Sequence, residues 1–412
     1  MSGVGSALPR AAGDGPARGK PFHSMWFVRF AAFAMALALP SAALPAAPPV
    51  PDGTRVETVP FKDLPGWASD DHAAAWRVFL ASCKSVAEDT PALRRGLAPP
   101  QALTDRCHEA LALGEAGTAQ ARTFFETRFE AWRIFGTEGH AFFTGYYEPE
   151  VEGSLVHEGR YQSPLYGRPD DLVSFEPGQS PPGFEAYAAA RRRPDGGLEP
   201  YPDRKAIEGG ALAGLGLERV WLADPVDRFF MQVQGSGRVR LPGGGVVRLS
   251  YAGRNGHPYT GIGRVVADRT KTPRSEMTMA KLRGLLTRDV AWARDVMHEN
   301  KSFVFFKFAA LDPQLGPIGG QDLPLTPLRS IAIDRTLWPY GLPVFVDTAI
   351  PDVPGVHKGL IRHLTIAQDT GSAILGIAGA DIFFGSGDAA GLVAGAVRHR
   401  GSFTVLWPKA AP

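Results

Sequence analysis

The chain has 412 residues, with 44 Lys and Arg against 42 Asp and Glu, and a formal net charge of +2. This length is enough for two domains with sizeable cores. Because the charges balance and no block of basic residues occurs, the sequence lacks the footprint of a nucleic-acid-binding protein, and we expect no nucleic-acid partner.

The first predicted element is a secretory signal peptide. Residues 1–24 are rich in small residues and proline, and they are followed by Arg29 and the apolar run Phe30–Leu39. This run is too short to span a bilayer. We therefore assign residues 1–47 to a signal region and N-terminal extension, with cleavage near residues 44–48. A buried helix in a cytosolic protein is the weaker alternative, because a Pro/Ala linker follows.

Residues 48–148 are predicted to form a Pro-rich linker and a helical part. Apolar residues recur at three- and four-residue spacing between residues 68 and 135, which indicates amphipathic helices. Cys83 and Cys107 are the two cysteines of the chain and fall in successive helical patterns. In an oxidising compartment two antiparallel helices would bring them together, so we predict a disulfide; two inert buried thiols are the alternative.

From Phe142 onward the sequence is predicted to be mainly β. Short apolar runs lie between Gly, Pro and Asn turns, without a long alternation of strands and helices, and this favours β-barrels over a doubly wound sheet. We divide this part into a region with many polar and basic loops, residues 149–302, and a compact, Gly-rich C-terminal region, residues 303–412. One helix, from about Ser275 to Asn300, is predicted within the first of these regions.

Candidate ligand-binding residues are amides, hydroxyls and aromatic rings. Alternation from Phe230 to Ser236 predicts a strand with Gln232, Gln234 and Ser236 on one face. Further candidates stand on turns: Thr144, Tyr146, Tyr147 and Tyr251. For each aromatic ring, packing in the protein core is an equally weighted alternative to ligand binding.

Carboxylates next to Gly-rich turns mark the C-terminal region as the place of a catalytic acid. Asp369 and Asp381 both stand between short apolar runs and glycines, an arrangement that holds a carboxylate at the edge of a β-scaffold. The two phenylalanines after Asp381 would desolvate it and raise its pKa. A helix predicted to be capped by Asp388 would oppose that rise, and the sequence does not decide between the two effects. A turn carboxylate bonded to backbone amides is the alternative for Asp381.

Other chemistries lack their motifs. The sequence contains no Gly-x-Ser-x-Gly, His-Glu-x-x-His or Cys-x-x-Cys pattern, which argues against a serine hydrolase and a zinc enzyme. We expect neither a metal nor an organic cofactor.

Seven stretches of the chain resemble the membrane-bound lytic murein transglycosylase A family, whose C-terminal part is named for three aspartates. They run in family order over roughly residues 140–408. The stretches are Phe143–Pro149, Tyr201–Glu208, Asp227–Gly237, Tyr251–His257, Ser302–Lys307, Pro324–Arg335 and Asp369–Asp381.

The resemblance implies a fold and a reaction. The fold is a double-psi β-barrel with a second β-barrel inserted into it and the substrate groove between the two. The reaction cleaves the β-1,4 bond between MurNAc and GlcNAc of peptidoglycan glycan strands. The muramic C6 hydroxyl attacks its own C1 and leaves a 1,6-anhydro ring. Because this nucleophile is tethered, one carboxyl group can serve as acid and then as base.

The resemblance also implies roles for the three aspartates. Asp381 matches the catalytic acid, and Asp369 and Asp334 match the supporting pair. We expect Asp369 to accept hydrogen bonds from backbone amides in an Asx turn. For Asp334, an ion pair with Arg335 is the alternative to a supporting role in the site. Two rival functions stay open: a hydrolase with Asp369 or Asp347 as base, and a non-catalytic cell-wall-binding module.

Location and partners follow from the signal region and the resemblance. Family members are often lipoproteins anchored through a cysteine after the signal, but no cysteine stands between Met1 and Ser82. We therefore expect a periplasmic protein without a lipid anchor, with outer-membrane association left open. We expect a monomer, with cell-wall synthesis or division proteins as candidate partners.

Overall fold

The computed structural model describes residues 47–309, 312, 314–353 and 357–410. The predicted signal peptide and its cleavage site lie outside this part, apart from the last residues at the predicted boundary. Within the described ranges, every helix is too short or too polar to cross a bilayer.

The helices begin with three segments in the region predicted to be helical, and they continue through the inserted region (residues 149–302) and the C-terminal region. They are α1 (His72–Ala87), α2 (Gln101–Leu113), α3 (Thr118–Arg128), α4 (Arg204–Ala206), α5 (Pro225–Gln234), α6 (Ile262–Thr270), α7 (Met279–Leu286), α8 (Val290–His298) and α9 (Gly387–Ala394). Short 3-10 or π turns occupy Phe61–Asp63, Trp67–Ser69, Ile207–Ala211 and Arg274–Glu276. The end of the predicted helical region is wrong, because Phe129–Ile134 form a strand.

The strands belong to one large sheet, one six-stranded sheet and one small sheet. They are β1 (Val56–Thr58), β2 (Phe129–Ile134), β3 (Ala141–Glu148), β4 (Glu150–Ser154), β5 (Ser163–Tyr166), β6 (Leu172–Ser174), β7 (Ala189–Arg192), β8 (Leu198–Glu199), β9 (Glu218–Leu222), β10 (Ser236–Arg240), β11 (Val246–Arg254), β12 (Val304–Phe308), β13 (Ser330–Ala332), β14 (Pro343–Val353), β15 (His357–Asp369), β16 (Gly379–Ser386) and β17 (Arg398–Pro408).

The large sheet closes into a barrel. Its order is β1-β2-β17-β14-β15-β13-β16-β3, and β17 also pairs with β3, so six strands form a closed ring that β2 and β1 extend. Strand β16 runs parallel to β3, with Asp381 opposite Thr144, and antiparallel to β13, with Asp381 opposite Ala332. This architecture confirms the mainly β, double-psi β-barrel expectation. It also places Asp381 between β3, which precedes the inserted sheet in the chain, and β13, which follows it.

The inserted sheet follows the order β12-β11-β10-β4-β9-β5, and its edge strands β5 and β12 touch, so the sheet curls like a barrel. The boundary predicted at residue 303 is wrong. Strand β12 pairs with β11, from Leu249 opposite Phe308 to Arg254 opposite Val304, and the insert extends through Phe308. A strand's own residues specify which of its faces is buried but not which strand it pairs with, so sequence alone could not assign β12.

Two predicted elements in the inserted region need correction. The strand predicted from Phe230 to Ser236 is wrong, because most of this segment is the end of α5. Asp224 caps that helix by accepting from Val226 N at 2.8 Å, and Gly235 ends it with φ 81°. The single helix predicted for residues 275–300 is instead α7 and α8, since Asp289 caps a new helix.

The helices α1, α2 and α3 pack against the barrel through aromatic rings. Trp76, Phe79 and Phe125 are fully buried, and the Trp76 and Phe124 rings meet edge to face at 4.8 Å. The sulfur atoms of Cys83 and Cys107 are bonded in the structure, with their Cα atoms 4.7 Å apart. This bond ties α1 to α2.

A buried ion pair fixes the start of α1 against the barrel. Asp70 accepts hydrogen bonds from Arg329 Nη1 and Nη2 at 2.9 and 2.8 Å, His363 Nδ1 at 2.9 Å and Leu364 N at 2.7 Å. Burial acts to raise the pKa of Asp70, but the hydrogen bonds from His363 and Arg329 outweigh it and hold the pKa well below its usual value. We call these four residues the Asp70 site.

Candidate active site

A cleft of about 490 Å³ lies between the barrel and the inserted sheet. Its barrel side carries residues of β3, β16 and the segment after β15, and its insert side carries residues of α5, α6 and β11. Polar residues of the lining include Arg94, Thr144, Tyr146, Arg204, Gln232, Gln234, Tyr251, Arg254, Asp369 and Asp381.

Asp381 is the half-buried acid of the cleft. Its Oδ1 atom is buried and has no hydrogen-bond partner among the described residues. Burial raises the pKa of Asp381 to about 7, the negative charge of Asp369 adds to the rise, and a hydrogen bond from Thr144 opposes it. The rise in the pKa of Asp381 caused by desolvation therefore exceeds the opposing effects, which answers the question that the sequence left open. Asp388, predicted as a helix cap, stands in the first turn of α9 without a capping hydrogen bond.

Asp369 ends β15 and faces the cleft as an acceptor. Its Oδ1 accepts from Gly320 N at 2.7 Å and Thr370 N at 2.8 Å, and its Oδ2 accepts from Tyr146 Oη at 2.9 Å. Burial raises the pKa of Tyr146 well above its usual value, and the charges of Asp369 and Asp381 reinforce this, so the phenol stays a donor. The carboxylate thus holds the chain at 320 and 370 beside the acid.

Asp334 stabilises a loop and is not part of the cleft lining. Its Oδ1 accepts from Thr336 N at 3.0 Å and Thr336 Oγ1 at 2.6 Å, and its Oδ2 accepts from Gly376 N at 2.8 Å. The donors to Asp334 are two backbone amides and one hydroxyl group, and the alternative, an ion pair with Arg335, is not formed. Asp334 therefore joins the loop after β13 to the loop before β16.

The predicted substrate-binding residues divide into two groups. Lining the cleft are Thr144, Tyr146, Gln232, Gln234 and Tyr251. Tyr147 and Ser236 are not part of the lining. The Tyr147 amide donates to Gln234 Oε1 at 3.1 Å, and its ring packs over Gly391 so closely that a Cβ there would lie 2.7 Å from it. Ser236 is buried in β10, opposite Ser250.

Arg94 and Arg204 are cleft residues that our sequence reasoning missed. The Arg94 guanidinium lies over the Tyr251 ring at 4.1 Å and donates to the Thr370 carbonyl oxygen. Arg94 follows Leu93 in a loop without periodicity, so no signal marks it. Arg204 belongs to one of the family-like stretches, and that was the available signal.

Arg204 supports the amide of Gln232. The guanidinium is buried and donates to Gln232 Oε1, to Asn300 O at 2.9 Å and to Ser302 O at 2.7 Å. Burial lowers the pKa of Arg204 to about 10, and Glu208, 3.2 Å from Nη1, works against this. Gln232 Nε2 is buried and has no hydrogen-bond partner within the part of the chain that the structure describes. The side chain is thus oriented with a free donor for a ligand.

Glu148 fastens the insert to the barrel next to the cleft. It is fully buried at the end of β3, and it pairs with Arg238 of β10 at 2.9 Å and Arg248 of β11 at 2.8 Å. It also accepts from Ser386 Oγ, at the end of β16, at 2.6 Å. One carboxylate therefore contacts strands of both the barrel and the inserted sheet. Within the described residues, no group of His, Cys, Asp and Glu has the arrangement of a metal site.

Comparison with known proteins gives this geometry a family. Residues 142–307 match the MltA specific insert domain, and residues 329–407 match the 3D domain. The membrane-bound lytic murein transglycosylase A of Vibrio cholerae is 32% identical over 267 residues, which is 64% of this chain. The chain thus spans 64% of that curated relative, slightly under two thirds of its length.

Solved structures agree over a larger part of the chain. The crystal structure of a membrane-bound lytic murein transglycosylase from Agrobacterium tumefaciens is 34% identical, with a TM-score of 0.77, and the match covers 86% of this chain and 97% of that one. A crystal structure of E. coli MltA with bound chitohexaose is 27% identical, with a TM-score of 0.58 and coverage of 81% and 90%.

The fold and the matched domains define a class of enzymes that are named for action on murein, the lytic murein transglycosylases. Within that class, this chain belongs to the membrane-bound lytic murein transglycosylase A family.

Proposed function

We propose that the protein is a peptidoglycan lytic transglycosylase. It cleaves the β-1,4 bond between MurNAc and GlcNAc and leaves 1,6-anhydro-MurNAc. The observation that carries the proposal is Asp381, a cleft carboxyl group with a buried, unpartnered Oδ1 and a pKa raised to about 7. A group with this pKa can both donate and accept a proton near neutral pH, as a residue that acts in two successive steps requires.

In the first step, the proton of Asp381 moves to the glycosidic oxygen. The bond between that oxygen and C1 of MurNAc breaks, and GlcNAc leaves with a free 4-hydroxyl group. The oxocarbenium-like charge on the sugar then faces the new carboxylate of Asp381 and the carboxylate of Asp369, and opposite charges nearby stabilise it.

In the second step, the C6 hydroxyl oxygen attacks C1 of the same MurNAc residue. Its proton passes to Asp381, which returns to its starting state, so water is neither consumed nor released. The nucleophile is covalently attached to the reacting sugar, and a tethered group needs no second carboxylate to capture and orient it.

The surroundings of the other carboxylates support a single acid and base. Asp369 has hydrogen bonds to Gly320, Thr370 and Tyr146 that occupy both of its oxygens. Asp347 pairs with Arg362 at 3.1 Å and is not part of the cleft lining. Neither is placed as a free base for water, which a hydrolase with two carboxylates would need.

The lining of the cleft supports a glycan as the ligand. Gln232 offers an unpartnered amide donor, and Gln234 and Tyr251 lie along the same cleft. Amides bind hydroxyl groups, and an aromatic face packs on the apolar face of a sugar ring. The E. coli relative was crystallised with chitohexaose, and we infer that this cleft takes a β-1,4-linked chain as well.

Analysis of the products tests the proposal. Purified sacculi are incubated with wild type and with Asp381→Asn, and soluble products are identified by mass spectrometry. We expect anhydro products, one water lighter than hydrolytic ones, from wild type only. Products with a reducing MurNAc end would identify a hydrolase. Retention on sacculi without any soluble product would identify a binding module.

We further propose that the mature protein acts in the periplasm as a monomer, close to the glycan strands. The sequence pattern of the signal region and the peptidoglycan substrate support this location. Fractionation and N-terminal peptide mapping test it, with a mature N-terminus near residues 44–48 expected. An acylated N-terminus, or cytosolic precursor alone, would contradict it.

A further inference from the structure

A second, basic pocket of about 180 Å³ adjoins the cleft. Arg94, Tyr251 and Arg254, together with the chain at 370–372, line both cavities, so the two are continuous. The pocket alone is lined by three further arginines, Arg95, Arg168 and Arg335. Glu176 is the one carboxylate among the described residues that line it.

The pocket's arginines bond to neutral acceptors. Arg254 donates to Ser372 Oγ, and Arg94 donates to the Thr370 carbonyl oxygen. Arg168 donates to Ser174 Oγ at 3.1 Å and to the Leu172 carbonyl oxygen at 2.7 Å. These bonds hold the guanidinium groups in place while leaving their charges uncompensated.

The charges also face one another. Burial lowers the pKa of Arg254, and the positive charges of Arg94 and Arg335 lower it further. Arg94 Nε is buried without a hydrogen-bond partner among the described residues. Gathering cations that repel one another opposes folding unless an anion binds among them, and guanidinium groups match the two oxygens of a carboxylate.

We propose that this pocket binds a carboxylate of the peptide that peptidoglycan carries on the lactyl group of MurNAc. The inference rests on the proposed function, because it takes the glycan strand to occupy the adjoining cleft. The pocket opens beside Thr370 to Ser372, directly after Asp369. A substituent on a sugar bound there would lie next to Arg94 and Arg254, which line both cavities. The pocket thus adds recognition of the peptide to recognition of the glycan.

The experiment compares three substrates: glycan strands that retain their peptides, the same strands with the peptide carboxyl groups converted to amides, and strands stripped of peptides by an amidase. Arg335→Gln and Arg168→Gln remove charges that line only the basic pocket. Arg288→Gln, which removes an exposed charge between α7 and α8, is the matched control. Each protein is assayed for kcat/KM, with folding checked by thermal melting.

We expect Arg335→Gln and Arg168→Gln to lower kcat/KM on peptide-bearing strands on the order of tenfold, as the loss of a charged hydrogen bond predicts. Their kcat/KM on stripped strands should match wild type. Wild type should lose a similar factor when the carboxyl groups are amidated, and Arg335→Lys should recover part of the loss. If a variant fails to fold, the wild-type comparison of free and amidated carboxyl groups still decides.

Equal losses on peptide-bearing and stripped strands, or no effect of amidation on wild type, would overturn the inference while leaving the transglycosylase function intact. If wild type cleaves none of the three substrates, the proposed function fails, and this inference fails with it.

Discussion

The cleft around Asp381 and the Asp70 site hold the same side chain in buried surroundings but shift its pKa in opposite directions. Asp70 receives donors from Arg329 and His363, and its pKa falls well below the usual value. Asp381 has an unpartnered oxygen and the negative Asp369 nearby, and its pKa rises to about 7. Burial acts in the same direction in both places, so the donors and charges around each carboxyl group decide the outcome.

The largest expected effect is on the cleft side of this comparison. Asp381→Asn keeps the shape of the side chain but removes the acidic carboxyl proton, and loss of general acid–base help typically costs about 10²–10⁴-fold in rate. Because we assign both steps to this residue, we expect turnover to fall toward the larger factor. Release of anhydro products from sacculi measures it. Retention of more than about a tenth of wild-type turnover would make Asp369 the next candidate.

Asp381→Asn should lower the rate but raise the stability of the fold. The folded-state pKa of Asp381 is raised, so its ionisation destabilises the fold as pH rises from about 4 to about 7. Asp381→Asn should therefore be more stable than wild type above pH 7, by up to about 4 kcal/mol at 1.36 kcal/mol per pKa unit. Thermal melting at pH 5 and pH 8 checks this.

The wild-type rate should also decline above about pH 7, as the acid loses its proton.

Asp70→Asn tests the other side of the comparison. It leaves Arg329 buried without its carboxylate, and breaking a buried ion pair typically costs about 3–5 kcal/mol of unfolding free energy. Because the folded-state pKa of Asp70 is lowered, its contribution is present above about pH 4 and is lost as pH falls further. Denaturant unfolding of Asp70→Asn and of the exposed control Asp63→Asn measures the difference. A control-like Asp70→Asn would contradict the assignment.

Reduction of the disulfide between α1 and α2 should destabilise the region of the Asp70 site and these helices more than the cleft. Cys83 and Cys107 enclose a loop with a sequence separation of 24, and closing a loop of this size is worth roughly 3 kcal/mol in the chain-entropy model. We expect the melting temperature to fall by several degrees on reduction, with the pH–rate profile unchanged. Quantitative thiol labelling of native, unreduced protein would show that the bond is absent in solution.

The smallest expected effect sharpens the comparison inside the cleft. Asp369→Asn removes the negative charge that helps to raise the pKa of Asp381. The pH above which the rate declines should therefore move down, while the amide retains part of the bonding to Gly320 and Tyr146. We expect a loss of about 1–3 kcal/mol in stability from the imperfect replacement. Tyr146→Phe, which removes the donor but keeps the charge, is the control and should leave the decline near its wild-type pH.

Local patterns in the sequence predicted the parts of the fold that depend on local physics. The spacing of apolar residues marked α1, α2 and α3, because a helix buries residues three and four positions apart. The segment that contains Gln232 misled us, because Phe-Phe-Met-Gln-Val-Gln fits both a strand with alternating faces and the last turns of a helix. Asp224 and Pro225 at the start of α5 were the signal that could have corrected it.

The candidate site was predictable where a chemical group had a recognisable neighbourhood. Asp369 and Asp381 stood out because they stand beside Gly-rich turns between short apolar runs and because they match aspartates of the family. The pKa of Asp381 was not predictable, since it depends on burial in the folded cleft and on a hydrogen bond from Thr144, which lies far away in the sequence. Arg94 had no local signal for the same reason.

The barrel assembles from both ends of the chain, and this has a consequence for the order of folding. The hydrogen bond between Tyr146 and Asp369 joins residues 223 positions apart, and β16 must find β3 after the whole insert has been made. Contacts of such long range form slowly. The insert can acquire its own sheet while β3 still lacks its parallel partner, whereas the catalytic centre does not exist until the C-terminal strands arrive. Partly made chains are therefore expected to carry a folded insert and no activity.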